Sequence, residues 1–218
     1  MNVLIFTKTT GYRHSSIEFA VARLVEELGD LGINADHTED EQTFRPDSLS
    51  KYEGVVWLNT TGEVLDDEGR AAYEAFVRAG GAWIGVHGAT ITEPNWPFYQ
   101  ELSGAYFARH PEGEHEATVQ IEILSHPTMA GIPFLWKFKD EWYDFVENPR
   151  SKKVTVLATV DEKSYPGGGM GEDHPIIWCH EKFSGKAWYT GLGHLAEAYE
   201  DEFFMNHLIL GIRWAINV

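Results

Sequence analysis

The chain has 218 residues, 43% of them apolar and 23% charged, proportions of an ordinary globular protein that exclude a disordered, collagenous or coiled-coil chain. Its 34 acidic and 17 basic side chains leave a formal charge of -17. That field repels phosphate backbones and anionic lipid, so nucleic acid and membrane are excluded as partners, and neutral, cationic or metal-borne ligands fit better.

The length suits one domain, residues 1–218, with no linker or repeat dividing it. Val3 to Phe6 is a short apolar run of the kind covered on both faces in a parallel sheet. Ser15 and Glu18 have capping-box spacing, and Ile17, Ala20, Val21, Leu24, Val25 and Leu28 trace one helical face up to Gly29 and Gly32. The pattern then repeats as strand Ile33 to His37, strand Val55 to Leu58, a helix from Asp67 to Ala79, and strand Ala82 to Val86. Such alternation predicts an α/β fold with helices on both faces of a mostly parallel sheet. After His87 come an aromatic and proline-rich stretch, an antiparallel or edge strand at Ala117 to Leu124, and strands at Trp136 to Tyr143, Val154 to Val160, Pro175 to Glu181 and Lys186 to Thr190. Tyr165 to Gly171 reads as a flexible glycine loop, and Glu202 to Ile216 as the last helix.

Met1 to Phe6 pass straight into a strand without a basic leader, and no apolar run approaches the ~18 residues of a membrane span. The expectation is a cytoplasmic protein. The single cysteine, Cys179, can form neither an internal disulfide nor a cysteine-type zinc site.

In open α/β sheets the ligand crevice lies beyond the carboxyl ends of the strands, so the residues directly after each strand are the informative ones. Those are Arg13 and His14, then His87, then Glu141 and Tyr143, then His194 behind Gly191-Leu192-Gly193. His87 stands at a tight strand-to-helix turn among Gly85, Gly88 and Ala89, where a nucleophile elbow would place serine or cysteine. Imidazole gives and takes protons near neutrality and ligates metals. His37, His115, His126 and His207 carry no positional argument for function; His174 and His180 flank a strand and are ambiguous.

The strings Phe6 to Ile17, Trp57 to Gly62, Gly85-Val86-His87-Gly88-Ala89, Asp140-Glu141-Trp142-Tyr143, Asp173 to Glu181 and Gly191-Leu192-Gly193-His194 resemble the ThuA-like (trehalose-utilisation) family over essentially the whole chain, in order. The resemblance implies a flavodoxin-like three-layer sandwich similar to the class I glutamine amidotransferases, with added antiparallel strands. It also implies bacterial use of trehalose and related sugars. Amidotransferases place a catalytic cysteine at the elbow and a His-x-Glu pair later. Here His87 holds the elbow, Glu197 lies three residues after His194, and Cys179 falls inside a strand, so thiol-dependent glutamine hydrolysis is disfavoured.

The expected catalytic set is His14, His87, Glu141 and His194: His87 or Glu141 as base, His14 or His194 as the group that protonates a leaving oxygen. Arg13, Asn59, Thr60, Trp96, His110 and Tyr143 are the expected substrate contacts, because aromatic faces and polar groups together suit a sugar ring. A divalent metal is compatible with the sequence and not required by it, as is assembly into a homo-oligomer. The competing expectations are a non-catalytic module that binds a sugar or a partner protein, and a metal-dependent hydrolase.

Overall fold

In the computed structural model, which describes residues 1–218, the first four predicted strands lie side by side. They are β1 (Asn2–Phe6), β2 (Asn34–Thr38), β3 (Gly54–Leu58) and β4 (Ala82–Val86). The rest are β5 (Phe107–Arg109), β6 (His115–Ile121), β7 (Leu135–Asp140), β8 (Asp144–Phe145), β9 (Thr155–Asp161), β10 (Pro175–His180) and β11 (Ala187–Thr190). Nine of them make one sheet in the order β2-β1-β3-β4-β11-β10-β9-β6-β7, while β5 and β8 pair apart. The strands from β2 to β11 are parallel, and those from β10 to β7 continue the sheet antiparallel. This is the mixed α/β, glutamine amidotransferase-like architecture that the sequence predicts. No helix is long and apolar enough to cross a membrane.

The helices are α1 (Ile17–Asp30), a single turn α2 (Pro46–Leu49), α3 (Asp67–Arg78), α4 (Pro97–Ser103) and α5 (Glu202–Ala215). Period-two alternation assigns them to faces. Trp57 of β3 meets Tyr73 of α3 and Tyr99 of α4, with ring centroids 5.1 and 4.9 Å apart, and Trp83 of β4 meets Tyr99 edge-on in the same layer. Trp188 of β11 points to the other layer, where Gly211 of α5 lets the helix press onto the indole, since a Cβ there would collide with the ring. Gly85 has a similar reason: its missing side chain makes room for Trp83, two residues back on the same face. β3 and β4 are buried throughout, as strands covered on both faces must be.

Several local expectations change. Helix α1 begins at Ile17 with Ser16 before it, and the capping box does not form. Glu18 instead pairs with Arg13 at 2.8 Å, and the Oγ of Ser16, the residue that precedes the helix, accepts from Asn59 Nδ2. Val25 is 39% exposed, so the buried stripe of α1 is narrower than the pattern suggested. β6 is an interior strand, and the edge is β7, whose alternate residues Leu135, Lys137 and Lys139 face out. β7 ends at Asp140, so residues 141–143 leave the sheet instead of continuing it. The glycine loop is fastened along its length: Glu162 accepts N–H groups from Met170 and Gly171, Asp144 accepts from Gly169, and Arg109 donates to the Gly167 carbonyl.

Buried histidines in the core make the fold pH-sensitive. His207 of α5 is fully enclosed between Trp136 and Trp188, and burial pushes its pKa down to about 4. A group whose folded pKa is depressed below its unfolded value of 6.5 costs stability as pH falls through that interval, because only the unfolded chain takes up the proton. Lowering the pH from 7 to 5 is therefore expected to cost wild type about 2 kcal/mol more than it costs His207→Asn. Urea melts at the two pH values check this, and equal losses in both proteins would contradict it.

Candidate active site

The order β2-β1-β3 reverses direction at β1, so the loops leaving β1 and β3 part and open a crevice at the carboxyl edge. Four segments converge there. The loop after β1 brings His14, the turn after β4 brings His87, the loop after β11 brings His194, and the segment after β7 brings Glu141 and Tyr143. One ligating atom from each of His14, His87, Glu141 and His194 lies within 4.8 Å of the others.

His87 sits at the elbow with φ +44°, a left-handed conformation that histidine tolerates better than bulkier side chains. Gly88 follows because its Cα packs against the backbone of Asn59 and Thr60, where a Cβ would lie 3.1 Å from the Thr60 carbonyl oxygen. Asn59, also at positive φ, braces the turn. Its Nδ2 donates to Ser16 Oγ (3.1 Å) and to the Gly193 carbonyl (3.0 Å), and its Oδ1 accepts from the Gly88 N–H.

Asp140 organises the other side and was not among the predicted site residues. Oδ1 accepts the N–H of Glu141 (2.8 Å) and of His194 (3.1 Å), and Oδ2 accepts the N–H of Gly193 (2.7 Å). The carboxyl is completely buried, and burial raises its pKa against the opposing pull of His87 and of the Gly193 and Glu141 amides. The available signal was its place in β7: Trp136, Phe138 and Asp140 are the inward positions, and a charge on an inward face needs partners.

Proton positions follow from the fixed acceptors. His87 Nδ1 donates to the Gly191 carbonyl at 2.8 Å, leaving Nε2 to accept. His194 Nδ1 lies 3.2 Å from that nitrogen and 3.3 Å from Glu141 Oε2, so its proton is shared between two acceptors. Burial pulls the Glu141 carboxyl up, but the hydrogen bond from His194 and the imidazoles beside it hold it well below the ordinary carboxylate range. Burial likewise works against charge on His194, and the Glu141 hydrogen bond and charge reverse that and raise its pKa. His14 goes the other way: burial, with His87 and His194 adding to it, pushes it down to about 2.

Exposure separates the four. His87 and His14 are 0% and 2% exposed, whereas the His194 and Glu141 side chains keep 13% and 12% of their surface. His194 Nε2 turns away from the cluster towards Glu114, 3.8 Å away. His110 is at the mouth, with Nδ1 3.1 Å from Glu141 Oε1 and 2.7 Å from the Pro111 carbonyl. The buried Tyr143 ring lies 4.1 Å from that of His87, and its hydroxyl is 3.4 Å from His14 Nε2. The remaining expected contacts are occupied otherwise. Arg13 pairs with Glu18 and Glu39, Thr60 Oγ1 bonds Thr92, Asn59 is the brace described above, and Trp96 packs on Phe98 and Tyr99.

The donor set fits a divalent cation. The three atoms His87 Nε2, His194 Nδ1 and Glu141 Oε2 are 3.2, 3.3 and 3.4 Å apart, close to the ~3.3 Å edge of a tetrahedron whose bonds are about 2.0–2.1 Å. His14, with Nδ1 lacking any hydrogen-bond partner, completes three imidazoles and a carboxylate. A second group, Asp144, Glu162 and His174, is already committed to backbone N–H groups, Arg109 and the Tyr143 carbonyl.

The sequence profile of the ThuA family, described as trehalose utilisation, matches residues 2–215. The chain belongs to the ThuA family. A ThuA-like protein of Bacteroides uniformis superimposes with TM-score 0.85 at 26% identity, over 99% of this chain and 91% of that one. Another from Parabacteroides merdae gives 0.80 at 20% identity, over 99% and 90%. A β-galactosidase of Bacillus circulans shares the fold at 14% identity and TM-score 0.61, over 99% of this chain and 31% of that enzyme. No curated protein matches the chain.

In this ThuA-family chain Asp140→Ala removes the acceptor of three buried N–H groups. The expected loss is about 3 kcal/mol in urea unfolding, with His194 and Glu141 no longer held in register. Unchanged stability would contradict the role given to Asp140.

Proposed function

We propose that the chain processes a disaccharide of the trehalose type, or its keto derivative, by proton transfer at His194. The observation that carries this reading is the Glu141–His194 pair. Its carboxylate fixes the Nδ1 proton and raises the basicity of an imidazole whose Nε2 points towards Glu114, away from the cluster, the arrangement by which a carboxylate orients a general base. On the keto derivative, the only one of the two with an acidic C–H, His194 Nε2 would take the proton from the carbon beside the ketone. The electron pair released forms a carbon–carbon double bond as the glycosidic C–O bond breaks, and the departing oxygen is protonated by His110. His87 and Tyr143 hold the pair in place from behind, and neutral His14 keeps a second positive charge out of the site. Membership of a trehalose-utilisation family supports the substrate class.

One observation favours a second reading, a metal-dependent hydrolase. The tetrahedral spacing described above would let His14, His87, His194 and Glu141 hold a zinc-like ion, which would polarise a bound oxygen.

Turnover of trehalose and of its 3-keto derivative separates these readings. Glu141→Gln and His194→Gln are expected to lower turnover by roughly a hundred- to ten-thousandfold, while chelator-treated wild type stays active. Loss of activity on chelation, restored by zinc, would overturn the proton-transfer reading in favour of the second. A sugar that raises the melting temperature and is never converted would mark a binding module instead.

A further inference from the structure

The loop between β1 and α1 carries an aromatic ring that the core does not use. Tyr12 is 66% exposed, although it lies two residues from His14, which is buried in the cluster. Its backbone is held firmly: Thr61 Oγ1 donates to the Tyr12 carbonyl at 2.7 Å, and the N–H groups of Thr10 and Gly11 donate to the Thr61 carbonyl. Its ring stands edge-on to that of His14, 4.9 Å away. Neighbouring Arg13 is tied to Glu18 and Glu39, so its guanidinium is engaged away from the Tyr12 ring.

A large ring on a fastened loop, open to water beside a reaction centre, is a surface on which the C–H face of a sugar can stack. Ring centroids 4.9 Å apart for Tyr12 and His14 and 5.1 Å apart for His14 and His194 put the Tyr12 ring beside the cluster and no farther from the His194 imidazole than those two steps together. A sugar whose first ring meets His194 leaves its second ring within reach of Tyr12.

We propose that Tyr12 is the platform for the second ring of a glycosidically linked sugar, an outer subsite that makes the protein select disaccharides over monosaccharides. The proposal rests on the sugar-processing reading and holds whether the centre works by proton transfer or around a metal. The Tyr12 ring meets the cluster at the edge of His14, so the melting-temperature control also reads any loss of that contact.

The test is calorimetric binding of trehalose, its 3-keto derivative and glucose to wild type, Tyr12→Ala and Tyr12→Phe, with melting temperatures as a folding control. Tyr12→Ala is expected to weaken the disaccharides by roughly three- to tenfold, the size of one lost ring contact. Tyr12→Phe restores them, and glucose is unaffected throughout. Equal disaccharide affinity in all three proteins overturns the platform while leaving the sugar reading standing. Equal weakening of glucose and disaccharide in Tyr12→Ala moves the ring to the reacting subsite and overturns the outer one. Wild type that binds none of the three overturns the sugar reading and the platform with it.

Discussion

One buried carboxylate holds the site together. Asp140 closes β7 at the far edge of the sheet, yet its two oxygens accept N–H groups from Gly193 and His194 beyond β11 as well as from Glu141 beside it. Removing a carboxylate from water is costly, and only several well-directed donors offset the loss. The same three bonds that satisfy the charge also set the backbone positions of both members of the Glu141–His194 pair. Stability and site geometry thus depend on one side chain, and through it the antiparallel extension of the sheet becomes part of the crevice that the parallel half opens.

The elbow after β4 shows how a shared fold is put to different use. In an amidotransferase-like architecture this turn would expose a thiol, but here it carries His87, held at positive φ and pinned through Nδ1 to Gly191. His87 is fully buried, and its Nε2 lies 3.2 Å from His194 Nδ1 and 3.4 Å from Glu141 Oε2. The one thiol is elsewhere. Cys179 lies within β10, where burial pushes its pKa up to about 12, far from the thiolate that nucleophilic chemistry needs.

Strands β1, β3 and β4 were legible because buried parallel strands are continuous apolar runs, and the rule that ligands gather at their carboxyl ends led from the sequence to His14, His87, Glu141 and His194. What stayed hidden depended on side-chain partners distant in sequence. Ser15 and Glu18 have the spacing of a cap, but Arg13 competes for the Glu18 carboxylate. Trp96 reads as a ring near a loop and is committed to Tyr99 in the core. Asn59 and Thr60 look like sugar contacts and instead brace the backbone beneath the site. Tyr12 lies inside the Phe6 to Ile17 string, and only its exposure distinguishes it from a core ring.

The account centres on one electrostatic claim: Glu141 sets the proton affinity of His194. Nitrogen-15 NMR titration of the histidine rings in chelator-treated wild type and Glu141→Gln reads it directly. The claim predicts a His194 midpoint above the ordinary histidine value of 6.5 in wild type, falling below it in the variant, where burial acts unopposed. The same midpoint in both proteins would contradict it.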